Sequence, residues 1–216
     1  MRFPWLVAIA VVSLSRPGSP AEAYAQIGIA SEQWLGVAAR EPRTESWATK
    51  LAPVEVKSAA STESVTIRLY ASSGEVDDAA RDEFERIAAN DGEAHVLAER
   101  LEKLVFKAAY RFGGARVDVL SGWRENAGRH SAGEALDFKL RGVAAATLAA
   151  YLRSLPRVGV GIYTHPRTQF VHLDVRDESY YWLDASPPGT HWRARQLRDP
   201  RAARRDATWL PDMDLP

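Results

Sequence analysis

Two short runs, Glu134–Leu140 and Gln169–Val175, constrain this chain more than any other feature. Both read as interior strands, and both carry ionisable side chains at positions such strands would bury. Burying a carboxylate or imidazole without a partner costs on the order of several kcal/mol. A chain that puts Asp137, His172 and Asp174 there must pair them or give them a cation. In Phe170-Val171-His172-Leu173-Asp174 the spacing of two sets His172 and Asp174 on one strand face. His130 and Asp137 are seven apart, and an odd separation points them to opposite faces of a straight strand. They converge only if the backbone turns between them, and Gly133 stands where that turn needs it.

The flanking pattern sets the fold class. Ser64–Tyr70 alternates and is β-branched, hence a strand. Asp77-Asp78 caps a helix reaching Asn90, with Ala80, Phe84, Ile87 and Ala88 on one face. A second helix, about Ala94 to Phe112, shows Leu97, Leu101, Leu104, Val105 and Ala108 at helical spacing and stops at Gly113-Gly114. Then come strands over Ala115–Leu120 and Glu134–Leu140, a helix over Val143–Ser154, and a hairpin of Val158–Tyr163 with Gln169–Val175. Tyr180–Leu183 forms a last strand. Helices first, then short strands with one interposed helix, predict an α+β domain. Its expected form is a small antiparallel sheet covered by helices on one face, with a zinc site on the open face.

Four segments follow from composition. Residues 1–25 have a short apolar stretch and the small-x-small site Ala23-Tyr24-Ala25, the pattern of a cleaved signal peptide, so no stable membrane anchor is expected after cleavage and the destination is periplasmic or secreted. Residues 26–63 read as an amino-terminal arm with one short helix, Ser31 to Ala39. Residues 64–188 form the domain, and 189–216 a tail rich in Arg, Asp and Pro, weakly ordered or lying over the domain surface. Lys+Arg and Asp+Glu both number 28, and removing residues 1–25 leaves 26 against 27. That balance argues against nucleic acid as a partner, and nothing in the sequence sets an oligomeric state. Cysteine is absent, so a transition metal must be held by His and carboxylate. Ligands of the His, Asp, His type suit zinc and leave a fourth position for water. From the residues alone, a metal site and a buried structural pair both stand.

The motif His130-x-x-Gly133-x-Ala135-x-Asp137, followed by Phe170-Val171-His172-x-Asp174, resembles peptidase family M15 and the related LAS-type zinc peptidases. The likeness is closest to the periplasmic murein endopeptidase and carboxypeptidase-like branch. Ser121-Gly122-Trp123-Arg124, Gly159-Val160-Gly161-Ile162-Tyr163, Ile67–Tyr70 and Ser179–Trp182 extend it over roughly residues 64–188. The resemblance implies Zn2+ on His130, Asp137 and His172, an α+β fold, and hydrolysis of peptidoglycan stem or cross-link peptides by a metal-activated water.

Roles follow for the neighbours. Asp174 is expected as the catalytic base, or as a carboxylate that orients the imidazole of His172. Arg124 is expected to bind a substrate carboxylate or the oxyanion, against a plain surface salt bridge. Tyr163 is expected to donate to substrate, against simple packing. His165 reads as a proton carrier or an exposed turn residue; His95 and His191 receive no role. Two departures from the family pattern stand out: Gly128 where many relatives have Ser, and Gln169 where several carry the base. They motivate an alternative, a peptidoglycan-binding module that keeps the fold without turnover.

Overall fold

In the computed structural model, residues 46–61, 63–89, 94–190 and 194–216 are described, all within the unit Glu45–Pro216. The expected signal peptide, the helix Ser31 to Ala39 and His191 lie outside them. The elements are α1 (Ser46–Lys50), β1 (Val54–Ser58), β2 (Ser64–Ile67), α2 (Asp78–Ala88), α3 (Glu99–Arg111), β3 (Val117–Ser121) and β4 (Ala135–Leu140). They continue with α4 (Ala145–Leu152), β5 (Val158–Tyr163), β6 (Phe170–Val175), β7 (Tyr180–Asp184), β8 (Ala194–Leu197) and α5 (Ala202–Asp206). A 3-10 turn over Pro211–Asp214 completes the series.

The architecture is α+β, as expected, but the sheet is neither small nor antiparallel throughout. It has eight strands in the order β2-β1-β3-β4-β6-β5-β7-β8, with β1–β3 and β5–β7 parallel and the other pairs antiparallel. Two strands account for the difference in size. β1 falls in the expected arm; its Val54, Val56 and Ser58 are buried while Glu55 is exposed, a period of two that is plain in Val-Glu-Val-Lys-Ser. β8 falls in the expected tail and is almost wholly exposed, so no apolar alternation announces it.

Register sorts the side chains. Leu136, Leu173, Val160 and Tyr181 lie side by side across β4, β6, β5 and β7, and all are buried. They share one hydrophobic cluster with Phe84 and Ile87 of α2, Leu101, Leu104 and Val105 of α3, and Leu148 and Leu152 of α4. One residue further along each strand, the row Asp137, His172, Gly161 and Trp182 takes the opposite face. The sheet thus gives its apolar face to the helical layer and its ionisable row to the other side.

Local chemistry fixes the helix ends. The Asp77 carboxylate accepts from the Ala80 N–H at 2.9 Å and caps α2. α3 begins five residues later than its apolar spacing suggests. Side chains of α2 claim the backbone of Leu97: its N–H donates to Glu85 at 2.8 Å, and its carbonyl accepts from Arg81 at 3.1 Å. Those groups are satisfied without a helical turn. Gly113 and Gly114, at φ +74° and +76°, end α3 where expected.

The tail lies over the domain and is anchored by buried carboxylates. Asp206 accepts from the Arg157 N–H at 2.6 Å and from the Ser179 N–H and hydroxyl, each at 2.7 Å. Asp214 accepts from Arg100 at 2.9 Å and from the Trp209 indole at 3.2 Å.

Candidate metal centre

Asp137 and His172 face each other as a cross-strand pair of β4 and β6. His130 reaches them from the loop before β4, which turns twice. Ser131 N–H donates to the Gly128 carbonyl at 3.1 Å, and Gly133 N–H to the His130 carbonyl at 3.1 Å. Gly128 and Gly133 take φ of +59° and +70° there, and a Cβ on Gly133 would overlap the Val96 carbonyl. The turn expected between His130 and Asp137 is therefore present, with Gly133 at its end. Ser131 steadies the loop: its carbonyl accepts from the Trp123 indole at 2.9 Å and its hydroxyl from the Ala127 N–H at 2.7 Å.

Each ring is fixed by its outer nitrogen. His130 Nδ1 lies 2.6 Å from the Gly122 carbonyl, which can only accept, so Nδ1 carries the proton and Nε2 is left as the free donor atom. That Nε2 is 3.2 Å from His172 Nδ1 and 3.6 Å from Asp137 Oδ1. His172 Nδ1 is in turn 2.8 Å from Asp137 Oδ1. Three donor atoms from buried residues thus surround one point, all within 4.8 Å of one another, and the group can hold a metal ion. Two nitrogens and a carboxylate oxygen form a donor set that attracts divalent cations.

The charges are set by partners. Burial pushes the Asp137 carboxyl up, but the facing imidazoles of His130 and His172 outweigh it and hold the group well below the usual range. Burial pushes His172 down, and its bonds to Asp137 and Asp174 reverse that, raising it. Asp174 is also lowered: burial opposes ionisation, while His172 and Arg176 favour it more strongly.

Asp174 stands on the far side of the His172 ring. Its Oδ2 lies 3.1 Å from His172 Nε2, the ring nitrogen that faces away from the three-donor point. Both oxygens are gripped by Arg176, at 2.5 and 2.6 Å. Period two does put Asp174 on the face of His172, but the side chain is fully buried behind the ring and pinned. That is the position of a carboxylate that orients the imidazole, one of its two expected roles.

Arg124 stands at the rim, its Nη2 3.2 Å from Asp137 Oδ2 and its side chain 45% exposed. Tyr163 stacks on Phe170 with ring centroids 4.2 Å apart. Both stand near the centre, with Arg124 in contact with one of its carboxylate oxygens. His165 accepts the Arg167 N–H within its own hairpin and is not a member of the group. His95 stacks on Trp123 at 3.9 Å.

Five contributors received no role in the sequence reading. Trp182 lies against His172, ring centroids 5.0 Å apart, over Gly161, where any side chain would overlap the indole. Gly159 plays the same part under Asp174 and Arg176. Gly122 supplies the carbonyl that orients His130, and Arg176 holds Asp174. Glycines at alternate positions of one strand were the available signal, because they mark places where another group comes close to the backbone.

No family model matches the chain, and searches of curated proteins and of solved structures likewise return no match.

Proposed function

We propose that this chain is an exported zinc peptidase that hydrolyses stem or cross-link peptides of peptidoglycan. The observation that carries the reading is the spacing of the three donors. Zinc at about 2.0–2.1 Å from tetrahedral ligands sets adjacent ligand atoms about 3.3 Å apart. The separations here are 2.8, 3.2 and 3.6 Å. Zinc in such a site supplies Lewis acidity toward a peptide carbonyl and makes a nucleophilic water available near neutral pH.

The surrounding residues suit that chemistry. Gly122 and Asp174 hold the two rings so that His130 Nε2 and His172 Nδ1 present their lone pairs. Arg124 keeps donors free toward solvent while touching Asp137, which suits a substrate carboxylate or a developing oxyanion. Burial raises the Tyr163 hydroxyl, which therefore keeps a proton to donate. The site lies on the sheet face away from the helices, where an extended peptide can lie across the strands. Export rests on the amino-terminal pattern; among the described residues no helix is long and apolar enough to cross a membrane.

One observation favours a second reading. With Asp174 pinned behind His172, the carboxylate expected to take a proton is committed elsewhere, which suits a metal-bearing module that binds peptidoglycan without cutting it. Purified muropeptides incubated with the protein and zinc, with and without chelator, separate the two by product mass. Zinc-dependent loss of D-Ala or a severed cross-link supports the peptidase; retention on murein without products supports the module.

A further inference from the structure

We infer that Arg176, seated over the bare backbone of Gly159, is a positioning residue that selects Nδ1 of His172 as the metal-binding nitrogen. The inference rests on the metal reading above and adds a residue outside the ligand set.

An imidazole offers a metal either nitrogen, and the choice depends on what holds the other one. At His172 the other one is Nε2, held by Asp174 Oδ2 at 3.1 Å. A carboxylate on a strand can rotate away from such a bond. Here it cannot, because Arg176 closes a two-bond fork on it, Nε to Oδ1 at 2.5 Å and Nη2 to Oδ2 at 2.6 Å. Arg129 flanks the same Oδ1 at 3.5 Å and is itself tied to Glu134 and to the Val175 carbonyl, at 2.6 and 2.7 Å.

The fork depends on chain topology. β6 and β7 lie on either side of β5, so Arg176–Ser179 must cross the start of β5. The crossing is fastened by the Arg176 N–H to the Arg157 carbonyl at 3.2 Å and by the Val158 N–H to the Ser179 hydroxyl at 3.3 Å. Directly opposite Asp174 in the register stands Gly159. A Cβ there would overlap Asp174 Oδ2 and come within 2.5 Å of Arg176 Nη2. The missing side chain makes the pit in which carboxylate and guanidinium meet. A salt bridge needed only for stability has no such requirement for a vacancy behind a ligand.

The test compares Arg176→Gln and Arg176→Lys with the unaltered protein in two measurements. Nitrogen NMR of the zinc-loaded protein reads which nitrogen of His172 binds the metal and which carries the proton. Competition against a chelator reads zinc affinity. Expected is a single Nε2–H form in the unaltered protein and a mixture of both forms in Arg176→Gln, with zinc affinity lowered tenfold or more. Arg176→Lys, which keeps the charge and loses the fork, should fall between. A folded Arg176→Gln protein that keeps the single form and binds zinc within twofold overturns the inference. Should the Gln variant not fold, the Lys variant is held to the same two criteria. An unaltered protein that takes up no zinc overturns the proposed function and the inference with it, whereas zinc bound alike by the unaltered protein and both variants overturns the inference alone.

Discussion

Without metal, His172 stands between two ionised carboxylates, Asp137 on Nδ1 and Asp174 on Nε2, and both raise it. The charged ring then keeps a proton where a cation would bind. A group raised on folding contributes stability that is complete below its unfolded value, about 6.5, and is lost as pH rises through the folded one. The metal-free protein should therefore lose this increment as pH increases, whereas zinc must displace the Nδ1 proton and gains affinity over the same range. Zinc affinity is expected to fall by about tenfold per pH unit below the folded value of the ring, a slope that chelator competition at several pH values measures. A flat profile would mean that the ring is already neutral. His172→Ala should cut bound zinc from one equivalent to near none and abolish muropeptide cleavage, read by metal analysis and product mass. Much of this site was legible beforehand, because Asp137 and His172 have side chains that interior strands do not tolerate without a purpose, and Gly133 marks the turn that brings His130 to them. The position of Asp174 was not: strand period gives a face, while the direction of a side chain on that face depends on Arg176, which a pattern of twos does not reach.

At the scale of elements, α3 is tied to α2 by a buried ion pair. Arg81 Nε donates to Glu102 Oε2 at 2.6 Å, while Glu102 Oε1 is buried without a partner. Burial raises Glu102 to about 7, with Arg81 opposing the shift. The folded protein thus keeps a proton that the unfolded chain releases near pH 4.5. The matching stability is complete below that value and lost as pH rises through about 7, on the order of 3 kcal/mol. Urea melts at pH 5 and pH 8 should show the loss, and Glu102→Gln should flatten it; an unchanged difference in the variant rejects this account. In the same helix Leu101 is fully buried, and Leu101→Ala should cost about 2–5 kcal/mol by the cavity it leaves. α2 and α3 were readable from apolar spacing, since one buried stripe sets their period, and α4 from its run of Ala and Leu. The start of α3 was not, because Glu85 and Arg81 capture Leu97 from a different helix.

For the whole molecule, the carboxy-terminal segment closes the fold. Asp206 satisfies donors just before β5 and β7, Asp214 satisfies the Arg100 guanidinium of α3, and Trp209 stacks with Arg100 and Arg157 at 5.0 and 4.7 Å. A chain ending at Arg198 would leave the Arg157 and Ser179 amides and the Arg100 guanidinium without these acceptors. At about 0.5–1.5 kcal/mol net for each hydrogen bond lost, and about 2–4 °C per kcal/mol for a domain of this size, calorimetry should show a drop of several °C. An unchanged transition would make the segment an ornament. β8 was invisible in the sequence because Ala194-Arg195-Gln196 are exposed and polar, unlike Leu197. The same polarity guards the border of the sheet. Any outermost strand offers unpaired amides and carbonyls to whatever extended chain drifts past, and a cationic, hydrophilic border makes a poor template for one more strand. What conceals β8 from a pattern search also discourages these molecules from growing into fibrils.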